Sequence, residues 1–419
     1  MKLLMSADLH LGRWSSRVSD GARHSAIACW NRMVELAISE GVHAVLLAGD
    51  VIDQSNRIFE SQGPLKRGVE QLAQAGVVTI AVAGNHDAKV LPQLATLLQD
   101  GAFILLGKDG QWESQVIPVG DEKLRVDGWS FRSPSQKTNP VNDYSDAVGE
   151  LDDFDLRIGM IHGDLDDTSS KYAPLNLAEL SNKDVDGWLL GHVHVPKIRH
   201  SERPWVLYPG SPQALDPGEQ GAHGVWLLDS AAGRLPELIE LSSVKYSQFP
   251  IDISDCEEDG GVQAFVIKAI HEKAEELADA SGHALQSLSL RVQVTGDCND
   301  PEEVQVALEK LTDLDLSIPD VTTRIDKASI VVTPRLDPTI YEGQTTALAK
   351  AVNLMSALEN STYPEWVEGL LEQWQGLEEQ CFKRQRGSTE GMDDVLSGQI
   401  DRVRKQLALI INSMLEQQK

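Results

Sequence analysis

The chain has 419 residues, 41% apolar and 24% charged, and its 37 basic and 64 acidic residues give a formal net charge of −27. That length exceeds what one hydrophobic core usually serves and predicts at least two domains, and the ordinary apolar balance excludes a disordered or fibrous chain. The acidic excess is spread evenly, with 21 basic and 33 acidic residues up to Val244 and 16 and 31 beyond it. It argues against broad affinity for nucleic acid, which usually comes from Lys and Arg that release counterions.

The opening Met1-Lys2-Leu3-Leu4-Met5-Ser6-Ala7 is broken at once by Asp8 and His10, so it reads as neither signal peptide nor membrane span. Alternating strand and helix candidates follow: a strand at 2–7, a helix at 22–40, a strand at 44–48, a helix at 63–75 and a strand at 77–83. Further strands are expected at 103–106, 124–128, 156–161, 187–190, 205–208 and 224–229, which together read as a large α/β sheet or two packed sheets. From about Lys245 the pattern predicts a small α+β domain, with strands at 264–267, 288–294 and 328–333 and a helix at 301–314. After Pro334 and Pro338, helices are expected at 344–359, 363–383 and 392–416, with a loop at 385–391. The expected domains are therefore 1–244, 245–335 and 336–419. Cys29, Cys256, Cys298 and Cys381 form no C-x-x-C pair, which suits neither a zinc knuckle nor a disulfide framework and makes a reducing cytoplasm the expected compartment.

Five polar clusters each follow a predicted strand: Asp8-Leu9-His10, Gly49-Asp50-Val51-Ile52-Asp53, Gly84-Asn85-His86-Asp87, His162-Gly163-Asp164 and Gly191-His192-Val193-His194. Strand ends are where an α/β sheet gathers its functional loops. Singly, a D-x-H or G-D is as readily a turn or helix cap as a metal site; jointly and in order, the five point to metal. A shell of His, Asp and Asn without Cys suits ions such as Mn²⁺, Fe²⁺ or Zn²⁺, and manganese is favoured. Seven ligands exceed the needs of one ion, so two ions roughly 4 Å apart, sharing a carboxylate, are expected. Such a pair would add four positive charges at one place, opposing the global charge locally. His24, His43, His200, His223, His271 and His283 lack this setting and are expected on the surface or satisfied in the core.

The pattern D-x-H, G-D-x-x-D, G-N-H-D/E, a lone His and G-H-x-H, complete between residues 8 and 194, resembles the calcineurin-like metallophosphoesterases. That resemblance implies one ion on Asp8, His10, Asp50 and His194 and another on Asp50, Asn85, His162 and His192. It also implies His86 as the acid for the leaving oxygen, with Asp53 or Asp87 orienting it. Gln54 and Asp87 depart from the Arg and Glu usual in protein Ser/Thr phosphatases. The segments Ser6-Ala7-Asp8-Leu9-His10-Leu11-Gly12, Leu47-Ala48-Gly49-Asp50-Val51-Ile52-Asp53 and Tyr208-Pro209-Gly210-Ser211 are instead similar to SbcD-like DNA exonucleases. Gly128-Trp129-Ser130-Phe131, Tyr172-Ala173-Pro174 and Trp188-Leu189-Leu190-Gly191-His192-Val193-His194 look like the YhaO-like branch of that family.

The resemblance implies a two-sheet calcineurin-like phosphoesterase sandwich flanked by helices, followed by a small α+β capping domain and a helical C-terminal region that docks an SbcC-like ATPase. It further implies hydrolysis of DNA backbone phosphodiesters in repair, and a homodimer. Arg13, Arg17, Arg57 and Arg132 are candidate phosphate contacts. Two other readings stand beside this one: a phosphodiesterase or nucleotidase for small nucleotides, and a noncatalytic scaffold for an ATPase.

Overall fold

The computed structural model describes residues 1–53, 58–98, 101–144, 154–233, 235–256, 261–309, 311, 316–335 and 338–360, with scattered positions beyond 360. The first sheet collects β1 (Lys2–Ser6), β2 (Ala44–Ala48), β3 (Val78–Val82) and β4 (Phe103–Leu105), all parallel. The second is built from β5 (Trp112–Val119), β6 (Glu122–Trp129), β7 (Leu156–His162), β8 (Gly187–Gly191), β9 (Lys197–His200) and β10 (Trp205–Tyr208). Strands β11 (Gly224–Asp229) and β12 (Glu237–Glu240) return to the first sheet, β11 antiparallel to β1. The orders are β12-β11-β1-β2-β3-β4 and β5-β6-β7-β8-β10-β9. These two mixed sheets with flanking helices are the fold the resemblance implied.

Strand alternation divides the core. Leu4, Val45, Leu47 and Ala81 face helices α1 (Ala26–Ser39) and α2 (Ile58–Gln74), packing with Trp30, Met33, Val69 and Leu72. Their neighbours Leu3, Met5, Leu46, Ile80 and Val82 point the other way, onto Val126, Ile158, Met160 and Leu189 of the second sheet. Strands buried on both faces read as continuous apolar runs, which is why β2 was visible in sequence as Ala44-Val45-Leu46-Leu47-Ala48. Helix α1 starts at Ala26 and not Ala22, because the Ser25 hydroxyl caps it by accepting from the Ala28 amide at 3.1 Å. Helix α2 begins five residues before the expected Gly63, running through Gly63-Pro64, whose carbonyl at Pro64 accepts from Trp30 Nε1 at 3.2 Å.

The far face of the second sheet carries an aromatic core of Trp112, Trp129, Tyr144 and Trp188 beside one buried carboxylate. Asp127 accepts from Ser114 Oγ, from Arg125 Nε at 2.9 Å, from the Tyr144 hydroxyl at 2.6 Å and from Arg157 Nε at 2.7 Å. Burial opposes its ionisation, yet these donors hold its carboxyl below the usual carboxylate range. Strand β5 escaped the sequence reading because it is an edge strand whose polar residues break the apolar run and whose Pro118 argues against a central strand.

A third sheet has the order β13 (Val244–Asp252), β14 (Ser287–Cys298), β16 (Val321–Pro334) and β15 (Leu316–Ile318). The strand expected at 264–267 is wrong: Gly261–Asp279 is one helix. A four-residue apolar run does not distinguish the two states. Here burial at Val266, Ile270 and Ala274, four residues apart, marks the inward stripe of a helix. The chain divides into two compact units, Met1–Ser247 with Ala274–Leu290 and Asp315–Asp326, and Gln248–Lys273 with Arg291–Leu314 and Lys327–Lys419. Within the second, Ala408 and Ile411 pack on Leu348, Ala351, Val352 and Met355 of the helix Ala347–Glu359, so these apolar residues near the C-terminus are used internally. The helix expected at 363–383 lies, but for scattered positions, outside the described residues, as does the whole loop at 385–391. No helix among the described residues is long and apolar enough to cross a membrane.

Asp127 generates the first prediction. Its folded pKa is depressed, so its contribution is present above the unfolded value of about 3.9 and is lost as pH falls below it. Asp127→Ala withdraws the carboxylate that neutralises buried Arg125 and part-buried Arg157, and is expected to cost about 3–5 kcal/mol in urea unfolding at neutral pH. The loss relative to the parent should shrink as the buffer is taken below pH of about 4.

Candidate metal centre

The five polar clusters meet at the carboxyl ends of β1, β2, β3, β7 and β8. Asp8, His10, Asp50 and His192 all adopt positive φ, at 52°, 48°, 50° and 98°. Side chains other than glycine seldom enter that region, and holding four there stores strain that the surrounding structure must overcome. The strain is located where the functional groups turn inward.

The geometry brings acceptors onto acceptors. His162 Nδ1 lies 3.1 Å from the Ala48 carbonyl, so the neutral ring donates there and presents the Nε2 lone pair inward. That lone pair then stands 3.0 Å from Asn85 Oδ1 and 3.4 Å from Asp50 Oδ2. His194 Nδ1 faces Glu219 Oε1 at 2.7 Å, which turns its Nε2 inward, 3.1 Å from His10 Nε2. His192 uses its other nitrogen, Nδ1, 3.2 Å from the same Asn85 oxygen. Asp8 receives the His192 amide at 3.0 Å, and its Oδ1 lies 3.9 Å from His194 Nε2 and 4.0 Å from His10 Nε2. Asp50 Oδ2 stands between the two groups, 3.9 Å from His10 Nε2 and 3.4 Å from His162 Nε2.

Asp8, His10 and His194 bring donor atoms within 4.8 Å of one another, as do Asp8, Asp50 and His162. Lone pairs of nitrogen and oxygen converging in a buried space repel unless positive charge sits among them. A divalent cation satisfies that requirement, and the mixed imidazole, carboxylate and carboxamide set is its ordinary ligand chemistry. The residues present therefore fit the metal that the family implies. In the bare protein a proton plays the same part: burial opposes the charged form of His162, but Asp50 beside it pushes the imidazole up to about 9. Asp50 is held below the usual range by His162, His10 and His86, against the effect of burial.

His86 stands at the exposed rim. Its amide donates to Asp50 Oδ1 at 2.9 Å and its Nδ1 lies 2.7 Å from the main-chain carbonyl of Asp53. A peptide carbonyl thus orients this ring, where a carboxylate was expected. The Asp53 carboxylate lies instead 3.3 Å from His10 Nδ1, within ion-pair range but outside hydrogen-bond alignment. Asp87, the other expected orienting group, is a buried brace. Its carboxylate accepts from the amides of Val51 at 2.7 Å, Ile52 at 3.2 Å and Gly84 at 2.8 Å, tying the second motif to the third. Burial and then the Asp50 charge push its carboxyl up to about 7.

Of the expected phosphate contacts, Arg13 is paired with Asp216 at 2.5 Å and lies 3.9 Å from Asp53, and Arg17 is paired with Asp326 at 3.5 Å. Arg132 is exposed, and Arg57 lies outside the described residues. Two carboxylates escaped the sequence reading, Glu219 behind His194 and Asp164, whose Oδ1 is 3.3 Å from His192 Nε2. Asp164 followed His162-Gly163 in a recognised cluster and was open to notice. Glu219 lies 25 residues beyond its partner histidine in a turn-rich segment, with no local signal.

A sequence profile of the Calcineurin-like phosphoesterase superfamily domain matches residues 1–232, and the chain belongs to that superfamily. It is a metallophosphoesterase and hence a hydrolase. The chain is 26% identical over 265 residues to "Uncharacterized metallophosphoesterase YhaO" of Bacillus subtilis, covering 61% of this chain and 64% of that protein. It is 27% identical over 234 residues to "DNA double-strand break repair protein Mre11" of Haloferax volcanii, covering 54% and 49%. Over 88 residues it is 34% identical to a component of the nuclease SbcCD of Escherichia coli, covering 21% and 22%. Each match spans less than two thirds of the relative's own length.

Two glycines show how tightly the shell is assembled. A Cβ on Gly191 would collide with the Ala48 carbonyl and with His162 Nδ1, and one on Gly84 would sit 2.7 Å from the Asp50 amide and closer still to its carboxylate. Gly191→Ala is accordingly expected to weaken binding of Mn²⁺ at least tenfold in isothermal titration, with the circular dichroism spectrum retained.

Proposed function

We propose that the chain is a two-metal DNA exonuclease of the SbcD-like kind, hydrolysing backbone phosphodiesters and working with an SbcC-like ATPase. The observation that carries the reading is a buried shell of converging lone pairs beside a single exposed imidazole, His86, in a chain similar to a component of the nuclease SbcCD and to proteins named Mre11. In this reading Asp8, His10, Asp50 and His194 hold one ion, and Asp50, Asn85, His162 and His192 hold the second. Manganese is the proposed ion, on the mixed nitrogen and oxygen donors. Bound there, the pair would supply Lewis acidity toward phosphate oxygens and a lowered pKa for water.

The protein's own groups do the rest. Asp53's main-chain carbonyl fixes the His86 ring through Nδ1, which leaves Nε2 to carry a proton. As water's oxygen bonds to phosphorus and sheds a proton to solvent, the bond from phosphorus to the sugar oxygen breaks and the imidazolium of His86 gives its Nε2 proton to that departing oxygen, to be reprotonated from solvent. Asp87 keeps the second and third motifs in register, so that His86 and Asp50 stay joined through the His86 amide.

Trp14 supports a nucleic-acid substrate over a small diester. It is 58% exposed and adjoins Arg13, whose guanidinium is 3.9 Å from the Asp53 carboxylate. In this reading the exposed indole is a platform for an unpaired base, worth about 1–3 kcal/mol per stacked base. The overall charge of −27 leaves the backbone contacts few, which predicts weak binding with a shallow dependence on salt.

Degradation of end-labelled single- and double-stranded DNA with Mn²⁺, beside hydrolysis of bis-p-nitrophenyl phosphate, tests the reading. His86→Ser is expected to lower DNA cleavage about 10²–10⁴-fold while binding the same number of ions, and to lower hydrolysis of bis-p-nitrophenyl phosphate less, because p-nitrophenolate departs without a proton. Hydrolysis of the small diester without cleavage of any DNA, in the presence and absence of an SbcC-like ATPase, would turn the assignment to small nucleotides. Trp14→Ala should raise KM for a single-stranded oligonucleotide about tenfold and leave KM for bis-p-nitrophenyl phosphate unchanged.

A further inference from the structure

His192 and His194 are two residues apart, yet they present opposite nitrogens inward, Nδ1 from the first and Nε2 from the second. A neutral imidazole carries one proton and exchanges it between its two nitrogens at little cost, so a group on the far side must choose which nitrogen keeps the lone pair. For His162 that group is a fixed peptide carbonyl, Ala48. For His194 it is a side chain reached only through a later loop.

We propose that Glu219 is a positioning residue for the metal centre, holding the His194 proton on Nδ1 so that the Nε2 lone pair faces the shell. This rests on the reading of that shell as a metal site. Glu219 is 6% exposed and spends its two oxygens on separate tasks. Oε1 lies 2.7 Å from His194 Nδ1, while Oε2 accepts from the Leu215 amide at 2.7 Å and from Ser211 Oγ at 3.0 Å. The Ser211 amide in turn donates to the His194 carbonyl at 2.9 Å, so the 211–219 loop grips both the main chain and the ring of His194. The Leu215 amide on Oε2 suffices to set the carboxylate's orientation, and the carboxylate sets the ring.

The bland alternative is that Glu219 merely closes its own loop. Glu219→Gln separates the two. A carboxamide has one acceptor oxygen, and three donors converge on this site. If that oxygen turns to the Leu215 amide, the NH₂ group faces His194 Nδ1, which must then accept, moving the ring proton to Nε2. If it turns to His194, the NH₂ group opposes the Leu215 amide and disturbs the loop that holds the ring. Ser211→Ala removes the 3.0 Å bond to Oε2 and the hydroxyl's longer contacts with the His194 carbonyl at 3.4 Å and His223 Nδ1 at 3.3 Å, while leaving the Glu219–His194 pair, the Leu215 amide on Oε2 and the Ser211 amide in place.

The experiment titrates Mn²⁺ into wild type, Glu219→Gln and Ser211→Ala by calorimetry, and reads the His194 ring protonation by long-range ¹H–¹⁵N NMR on histidine-labelled protein before metal is added. Expected are an Nδ1–H His194 in wild type, a loss of Mn²⁺ affinity of about 10–100-fold with a shift toward Nε2–H in Glu219→Gln, and affinity within about twofold of wild type in Ser211→Ala. Equal affinity in wild type and Glu219→Gln overturns the proposal, as does an equal loss in Ser211→Ala, which would mark a loop-closing role. An Nε2–H His194 in wild type overturns it even if the variants do not fold. Wild type that takes up no Mn²⁺ refutes the metal reading itself, and this inference with it.

Discussion

Two carboxylates, a carboxamide and four imidazoles converge on one space, and the positive charge that such a crowd of acceptors demands is the constraint around which the first unit is organised. Such a shell is unstable alone and acquires its stability from a proton or a cation held within it. The elevated proton affinity of His162 beside the depressed carboxyl of Asp50 expresses the same demand for positive charge. The neighbouring architecture works against the repulsion. Two sheets present their strand ends to one place, glycines at 84 and 191 admit the close approach, and four backbone positions are held at unfavourable φ.

The groups behind the shell are as specific as those within it. Ala48 and Glu219 each fix one imidazole from the rear, Asp53 fixes His86 through a peptide carbonyl, and Asp87 binds two loops through three amides. A hydrogen bond on the far nitrogen decides which lone pair an imidazole offers, so these contacts determine the shell's chemistry while remaining outside it. Asp127 on the opposite face of the second sheet is a different use of the same device: there, cationic and hydroxyl donors surround one carboxylate and no acceptor is left facing another.

The charge of −27 and a phosphate-ester substrate are reconciled by scale. Surface charge is screened over about 8–10 Å at physiological salt, whereas divalent charge at a buried site acts on a phosphate in contact. Arg13 and Arg17 are already paired with acidic residues, so in the proposed function stacking on Trp14 complements the centre itself.

The metal-ligand candidates were legible in sequence because each follows an apolar strand directly, and a strand buried on both faces is a conspicuous run whose end is marked by a change to Gly, Asp or His. Ala44–Ala48, Trp205–Tyr208 and Gly224–Asp229 were placed to the residue for that reason. The same reasoning failed at Ala264–Ile267, where a short apolar run belonged to a helix, and at β5, where an edge strand alternates with polar residues. Only the tertiary structure decided what stands behind the candidate ligands. Glu219 is 25 residues from His194, Asp87 is 36 from Val51, and the carbonyl that orients His86 belongs to no side chain. Contacts of that kind depend on how loops fold back over the strand ends, a matter of three-dimensional closure that local pattern does not encode.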